Sequence, residues 1–149
     1  MSLKSRPFLV IHADVAAPLT YGDAGAGARR CIPITGGRFE GELSGEVLPG
    51  ADWQSVLPDG TIELSAHYGL RTTDGVLIEV TSVGLRAAPP QILARLAAGE
   101  ALDRDLYYFR TAMRFSTGAP KLARLNTLLA VSIGERGPTG VRLEVFEIL

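Results

Sequence analysis

Few residues in this sequence could carry out acid–base chemistry, and they are scattered along the chain. Histidine is the side chain that ordinarily changes charge nearest to neutral pH. The chain has two, His12 and His67, and no cysteine stands near either of them. A structural zinc site needs four ligands at recognisable spacing, so we expect no metal and no cofactor. His67 shares the polar positions of an alternating stretch with Glu63 and Ser65. It is either a solvated surface residue or a proton-transfer group inside the protein.

Two carboxylates are the other candidates for proton transfer. Asp52 and Trp53 follow a Pro-Gly turn signal at residues 49–50. Asp52 either caps that turn through a side chain–backbone hydrogen bond or acts as a general acid or base beside the indole, which would raise its pKa. Glu40 stands at a polar position of the preceding alternating stretch. His67, Asp52 and Glu40 are therefore the candidates for catalysis.

The remaining candidates are binding residues. Arg110 needs an anionic partner if it lies inside the protein, either a ligand carboxylate or Glu40, and it needs none on the outer face. Tyr68 stands on an apolar face, where its hydroxyl would reach a polar group. Asn126 either satisfies buried backbone groups or contacts a ligand. The predicted ligand-binding set is Asp52, Trp53, His67, Tyr68, Arg110 and Asn126.

These residues must be positioned by strands. From residue 37 to residue 47 every odd position is apolar or glycine and every even position is polar, which predicts one extended strand with two different faces. Gly37, Gly41 and Gly45 recur on one face, which favours tight bends or a close approach of another backbone. Such a strand suits a closed, strongly curved sheet better than a flat one.

The rest of the chain predicts an antiparallel β-barrel of about eight strands, with one short helix inserted before the strand at residues 107–117. Helical spacing of apolar residues places that helix at 89–99, between prolines and a glycine. Residues 18–28 read as a loop, and Asp74-Gly75 predicts a type I′ hairpin turn. We expect one all-β domain over 1–149. The alternation does not say which face of each strand lines the interior. The other predicted strands are residues 7–15, 29–35, 61–71, 76–85, 127–134 and 141–149.

The composition of the chain limits the classes of partner and the cellular location that we expect for this protein. The net charge of −1 and the absence of a basic run argue against nucleic acid. No stretch approaches the ~20 apolar residues of a membrane span, and the N-terminus makes a poor signal peptide. A lone cysteine, Cys31, fits a reducing compartment, so we expect a cytoplasmic protein. Strands 7–15 and 127–134 are apolar on both faces, which predicts a homo-oligomer, most simply a dimer.

Six short motifs stand in the order and spacing of a known family. The chain resembles domain-of-unknown-function family 3237 over nearly its whole length. The resemblance implies a compact antiparallel β-barrel that commonly self-associates. It implies no agreed activity, although some relatives are thought to close rings without a cofactor. The motifs are GG-x-F-x-G at 36–41, PGADW at 49–53, TDG at 73–75, YFRT at 108–111, FST at 115–117 and LN at 125–126.

The sequence also departs from the usual pattern of that family. Ser65 and His67 stand where relatives carry an aspartate and an arginine, Ser116 replaces a glutamate, and Arg124 replaces a tryptophan. Position 73 holds a threonine where relatives carry an aspartate. Chemistry that used those family residues would be lost or altered in this chain.

Three functional hypotheses follow. The first is a barrel that binds an unknown small molecule inside or at its mouth. The second is a cofactor-free enzyme, a cyclase, isomerase or lyase, in which Asp52, Glu40 or His67 moves a proton and Arg110 steadies an enolate-like oxygen. The third is a structural or assembly module. Convergent ionisable groups in a concave pocket would favour the second, and a filled barrel would favour the third.

Overall fold

The computed structural model describes all residues, 1–149, and it shows a closed antiparallel barrel. This confirms the fold class predicted from the sequence. The ring has eight positions, in the order β1, β10, β9, β8, β7, β6, then β4 and β5 in one shared position, then β3. The strands are β1 Ser5–Val15, β2 Leu19–Asp23, β3 Ala28–Gly41, β4 Gly45–Val47, β5 Gly50–Val56, β6 Ile62–Thr72, β7 Leu77–Ala87, β8 Tyr108–Ser116, β9 Ala130–Arg136 and β10 Gly140–Ile148.

The barrel closes where β1 pairs with β3. β1 runs antiparallel to β10 on one side and to the second half of β3 on the other. The first half of β3 pairs with β5 and its second half pairs with β4, so two short strands fill one position of the ring. Because every backbone edge of the ring is then paired, the barrel has no open side.

The predicted strand over residues 37–47 is wrong as a single element. The chain reverses after Gly41, and Phe39 of β3 lies opposite Gly45 of β4. Antiparallel partners share a face, and both of these positions are odd, so the alternation continues through the hairpin as if no turn were present. The pattern therefore reports the faces correctly but hides the reversal.

Two local predictions are also wrong. Residues 18–28 are not all loop, because β2 lies within them and adds a strand outside the ring, on β3. The turn before β7 is not type I′, since a type I′ turn needs two residues with positive φ and only Gly75 has one, at 90°. The N–H of Gly75 donates to the carbonyl of Thr72, and the N–H of Thr72 donates to the carbonyl of Val76.

The apolar face of each alternating strand points inward. In β6, Ile62, Leu64, Ala66, Tyr68 and Leu70 are all buried, whereas the residues between them are exposed or partly exposed. A hydrophobic cluster runs through the barrel interior and fills one end, where the rings of Phe8 and Phe115 meet edge to face, 5.5 Å apart. The 3₁₀ segment Pro120–Thr127 adds the buried Leu125 to this cluster.

The opposite end of the barrel is formed by the end of β1, the end of β7, the start of β8 and the β9–β10 turn. Helix α1, Pro90–Ala97, follows β7 as the sequence predicts, and it buries Leu96. The carbonyl of Leu96 accepts a hydrogen bond from Nη1 of Arg136, which ties the helix to β9. A short 3₁₀ segment, Arg104–Leu106, leads into β8. No helix in the chain has both the length and the apolar character needed to cross a bilayer.

Closure depends on a backbone contact that leaves no room for a side chain at Gly37. A Cβ atom there would overlap the carbonyl oxygen of His12 in β1, and the φ of +133° is one that other residues rarely adopt. We expect Gly37→Ala to lower the free energy of unfolding by about 2 kcal/mol or more, measured by urea unfolding.

Gly118→Ala is the matched control. Nothing lies within 4 Å of a Cβ atom built at Gly118, and its φ is not positive. Its free energy of unfolding should stay within about 0.5 kcal/mol of the wild-type value. Equal effects of the two substitutions would contradict the role of the β1–β3 contact.

Candidate functional site

Two neighbouring cavities occupy the open end of the barrel. The outer one has a volume of about 220 Å³, and its walls come from the end of β1, the β9–β10 turn and inward residues of β3, β5, β7 and β8. The inner one has about 50 Å³ and reaches into the barrel. Val15, Asp52, Phe109 and Val141 line both cavities, so the two spaces adjoin. The interior is therefore neither an open channel nor fully packed.

Strand β5 places Asp52 at the junction of these cavities. Its alternation turns Asp52 and Gln54 inward and Trp53 outward. Gln54 Nε2 donates to Asp52 Oδ2 over 2.8 Å, and Arg30 Nε donates to Gln54 Oε1 over 2.8 Å. The other carboxylate oxygen, Asp52 Oδ1, is buried and has no hydrogen-bond partner.

The surroundings of Asp52 raise the pKa of its carboxyl above the ordinary value. Burial raises the pKa of the Asp52 carboxyl. It outweighs the opposing effects of the Gln54 hydrogen bond, of the positive charges on Arg86 and Arg30, and of an interaction with the backbone N–H of Ser65. A carboxyl group with a raised pKa and one free oxygen is suited to accept or donate a proton.

The hydroxyl of Tyr68 is the second polar atom without a partner. Tyr68 projects from β6 into the inner cavity, and its hydroxyl is buried with no hydrogen bond. Burial raises the pKa of Tyr68, and the negative charge of Asp52 raises it further. The phenol therefore stays neutral and can donate a hydrogen bond to a ligand atom.

Arg86 is the third such group. It ends the inward face of β7, is only 7% exposed, lines the outer cavity, and has no partner for its Nε. Burial lowers the pKa of Arg86 to about 10, and the nearby charges of Arg136 and Arg30 act in the same direction. The guanidinium is still charged at neutral pH, so the cavity wall holds a buried cation.

The structure places the catalytic candidates of the polar strand faces outside the barrel. His67 is exposed, with Nε2 2.5 Å from Glu79 Oε2. Glu40 is at the outer surface, with Oε1 3.0 Å from Nε2 of His12, and this hydrogen bond lowers the pKa of Glu40. An interior position for either residue is wrong because the polar face of each strand points to solvent.

Three ligand-binding candidates are also outside the cavities. Trp53 is 39% exposed, and its ring lies 5.3 Å from that of Tyr21. Arg110 is on the outer face of β8, with its guanidinium 5.1 Å from the ring of Tyr108. Asn126 bonds through its side chain to the N–H and carbonyl of Thr117, which is the backbone-satisfying alternative. Of the predicted set, the structure brings together Asp52 and Tyr68.

The departures from the family pattern lie away from the cavities. Ser65, His67, Ser116 and Arg124 are all exposed, and none lines either cavity. Arg124 instead forms salt bridges with Glu42 and Glu147 at the filled end of the barrel. None of these four departures therefore alters a residue that lines a cavity.

The sequence interpretation missed Arg86, Gln54 and Arg136 as cavity residues. The predicted strand 76–85 stopped one residue before Arg86. A signal was available, because Ile78, Val80 and Ser82 share its parity and form the buried face of β7. No group of three or more His, Cys, Asp or Glu side chains comes together in a way that could hold a metal ion.

Fold and cavity together define a closed β-barrel with a polar cavity at one end. Comparison with solved structures supports this class. A conserved protein of unknown function from Rhodopseudomonas palustris is 39% identical, with a TM-score of 0.97 over 100% of this chain and 99% of its own. A beta-barrel like protein from Acinetobacter baumannii is 36% identical, with a TM-score of 0.87 over 100% and 98%. An enzyme from Penicillium herquei, 22% identical with a TM-score of 0.76 over 100% and 96%, shares the fold.

The chain belongs to the family described as protein of unknown function (DUF3237), whose model matches residues 3–148. A relative named UPF0311 protein from Rhodopseudomonas palustris is 39% identical over 150 residues, covering 99% of this chain and 98% of the relative. This confirms the resemblance found in the sequence motifs.

Titration of Asp52 should appear in the pH dependence of stability. Because its pKa is raised, the folded state holds the proton more tightly than the unfolded chain, whose carboxyl has the ordinary value of 3.8. The stability from the protonated form is complete below 3.8 and is lost as pH rises through the raised pKa. We expect the free energy of unfolding of the wild type, relative to Asp52→Asn, to fall across that interval and then stay level.

Urea unfolding of both proteins from about pH 3.5 to about pH 7 measures this difference. Asp59→Asn is the control with the opposite sign, because a hydrogen bond from the backbone N–H of Thr61 lowers the pKa of Asp59. The stabilising contribution of the Asp59 carboxylate is therefore lost as the pH falls through its lowered pKa. A difference for Asp52→Asn that rises with pH would contradict the assignment.

Proposed function

We propose that this protein binds a small molecule at the open end of its barrel. The observation that carries the proposal is that Asp52, Tyr68 and Arg86 line two adjoining cavities, and that each has one buried polar atom without a hydrogen-bond partner. Buried polar atoms are normally hydrogen-bonded, and each one left without a partner costs about 1–3 kcal/mol. A ligand with complementary donors and acceptors would recover that free energy.

The shape of the site also supports a small ligand. Ligand sites are typically concave and apolar with a few convergent polar groups. Here Val15, Phe109 and Val141 supply the apolar wall. Asp52 lines both cavities, Tyr68 lines the inner one and Arg86 lines the outer one. The opposite end of the barrel is packed, so a ligand would enter from the mouth near Ala16 and Ala17.

A set of four ring compounds tests the proposal: mandelate, phenylacetate, mandelamide and phenylacetamide. All four share one phenyl ring. The two acids carry a negative charge and the two amides do not, and mandelate and mandelamide carry a hydroxyl group that the other two lack. We expect at least one to bind the wild type in ligand-detected NMR at millimolar concentration. Ala17→Trp, at an exposed position of the outer cavity wall, should abolish that binding by filling the mouth.

Ala17→Ser is the matched control, and it should bind as the wild type does because it adds one small atom to the same position. Failure of all four compounds to bind would contradict the proposal. Equal binding by the wild type and Ala17→Trp would also contradict it, because the bound compound would then lie elsewhere.

A second candidate function is cofactor-free proton transfer by Asp52. The free Oδ1 and the raised pKa of this carboxyl favour it, as does the description of the Penicillium herquei relative as an enzyme. In such a step a C–H bond next to a carbonyl group breaks and the proton passes to Asp52. The electron pair of the C–H bond forms the C=C bond of the enolate, the π pair of the carbonyl group moves onto its oxygen, and the charge of Arg86 stabilises that oxygen.

Deuterium exchange tests this candidate. We expect the wild type to accelerate α-deuteration of acetophenone in D₂O, and Asp52→Asn to slow the catalysed rate by about 100-fold or more. The rate is followed by proton NMR. His67→Gln is the control, because His67 lies on the outer surface and its loss should leave the rate unchanged. An unaccelerated exchange, or equal losses for both variants, would contradict proton transfer by Asp52.

Self-association and a cytoplasmic location stay predictions. The outer faces of β7 and β9 expose Val83 and Val131, at 52% and 39%, and both lie opposite Ala112 of β8 in the sheet register. This exposed apolar row supports the proposal of a homodimer.

A further inference from the structure

Arg86 and Asp52 have opposite charges and interact electrostatically, yet they form no salt bridge. The charge of Asp52 acts on the guanidinium of Arg86, but Arg86 takes part in no salt bridge of the structure. Both side chains line the outer cavity. Each keeps one buried polar atom without a partner, a donor on Arg86 and an acceptor on Asp52.

Positive charge is in excess around this cavity. Arg30 and Arg136 both repel Arg86, and Asp52 is the carboxylate that acts on it in return. Arg136 also lines the outer cavity, and Arg30 is linked to Asp52 through Gln54. Placing like charges together in a partly desolvated space is unfavourable, and a bound anion would relieve the repulsion.

We infer, on the basis of the proposed function, that the ligand is a small organic acid that also carries a hydroxyl group. Its carboxylate pairs with Arg86, and its hydroxyl group donates a hydrogen bond to Asp52 Oδ1. The guanidinium presents parallel N–H donors that match a carboxylate. The free Oδ1 of Asp52 is an acceptor and needs an O–H or N–H group. The neutral hydroxyl of Tyr68 lies in the adjoining inner cavity as a further donor.

The four compounds named above separate charge from hydroxyl. We expect the wild type to bind mandelate at least tenfold more tightly than mandelamide, measured by NMR titration at neutral pH. We expect it also to prefer mandelate to phenylacetate. Arg86→Met should reduce the first preference to nearly one, and Asp52→Ala should reduce the second.

Arg110→Met is the control for the loss of an arginine, because Arg110 lies on the outer face and stacks on Tyr108. It should leave both preferences unchanged. Arg86 forms no salt bridge, so Arg86→Met leaves no buried partner charge unpaired and is expected to fold. A second measurement uses the wild type and so does not depend on the folding of a variant. In NMR spectra, the Nε–H resonance of Arg86 should shift when mandelate is added and should not shift when mandelamide is added.

The outcomes distinguish this inference from the proposed function. If mandelamide binds as tightly as mandelate and Ala17→Trp abolishes both, small-molecule binding stands and the anionic ligand is overturned. If phenylacetate binds as tightly as mandelate, the hydroxyl contact with Asp52 is overturned. If none of the four compounds binds, the proposed function itself is overturned.

Discussion

The pairing of β1 with β3 is the constraint on which the barrel depends. Without it the strands would form an open sheet, and the inward face of each strand would be exposed to water. The contact is possible because Gly37 and Gly41 of β3 carry no side chain where the backbone of β1 passes. Buried apolar surface stabilises a fold by about 25 cal/mol per Å². These glycines therefore act indirectly, because they let the strands close around that surface.

Closure also explains why polar groups can be buried without partners. The hydrophobic core runs through most of the barrel interior and leaves two small cavities at the open end. Asp52, Tyr68 and Arg86 are held there by three different strands, β5, β6 and β7, each fixed by its two neighbours in the ring. Their separation is set by strand register. Sites built on strands hold their side chains more precisely than sites built on loops.

Much of the fold and part of the site could be predicted from the sequence. Alternation identified the strand faces, and helical spacing identified the helix before β8. The β3–β4 hairpin could not be seen, because partners such as Phe39 and Gly45 share a parity and leave the alternation unbroken. Asp52 was recognised from the turn signal beside it. The position of His67 could not be predicted in the same way. Alternation shows that its side chain lies on the polar face of the strand, but only closure of the ring decides whether that face points inward or outward.

The cavity draws its walls from strands that are distant along the chain. The end of β1, the inward side chains of β5 and β7, and the β9–β10 turn come together only when the last hairpin has docked against the first strand. Long-range strand pairing of this kind forms late, because the entropy of closing large loops must be overcome first. A partly folded chain therefore lacks the pocket altogether. A ligand for this pocket would therefore bind only molecules that have finished folding, and it would stabilise them.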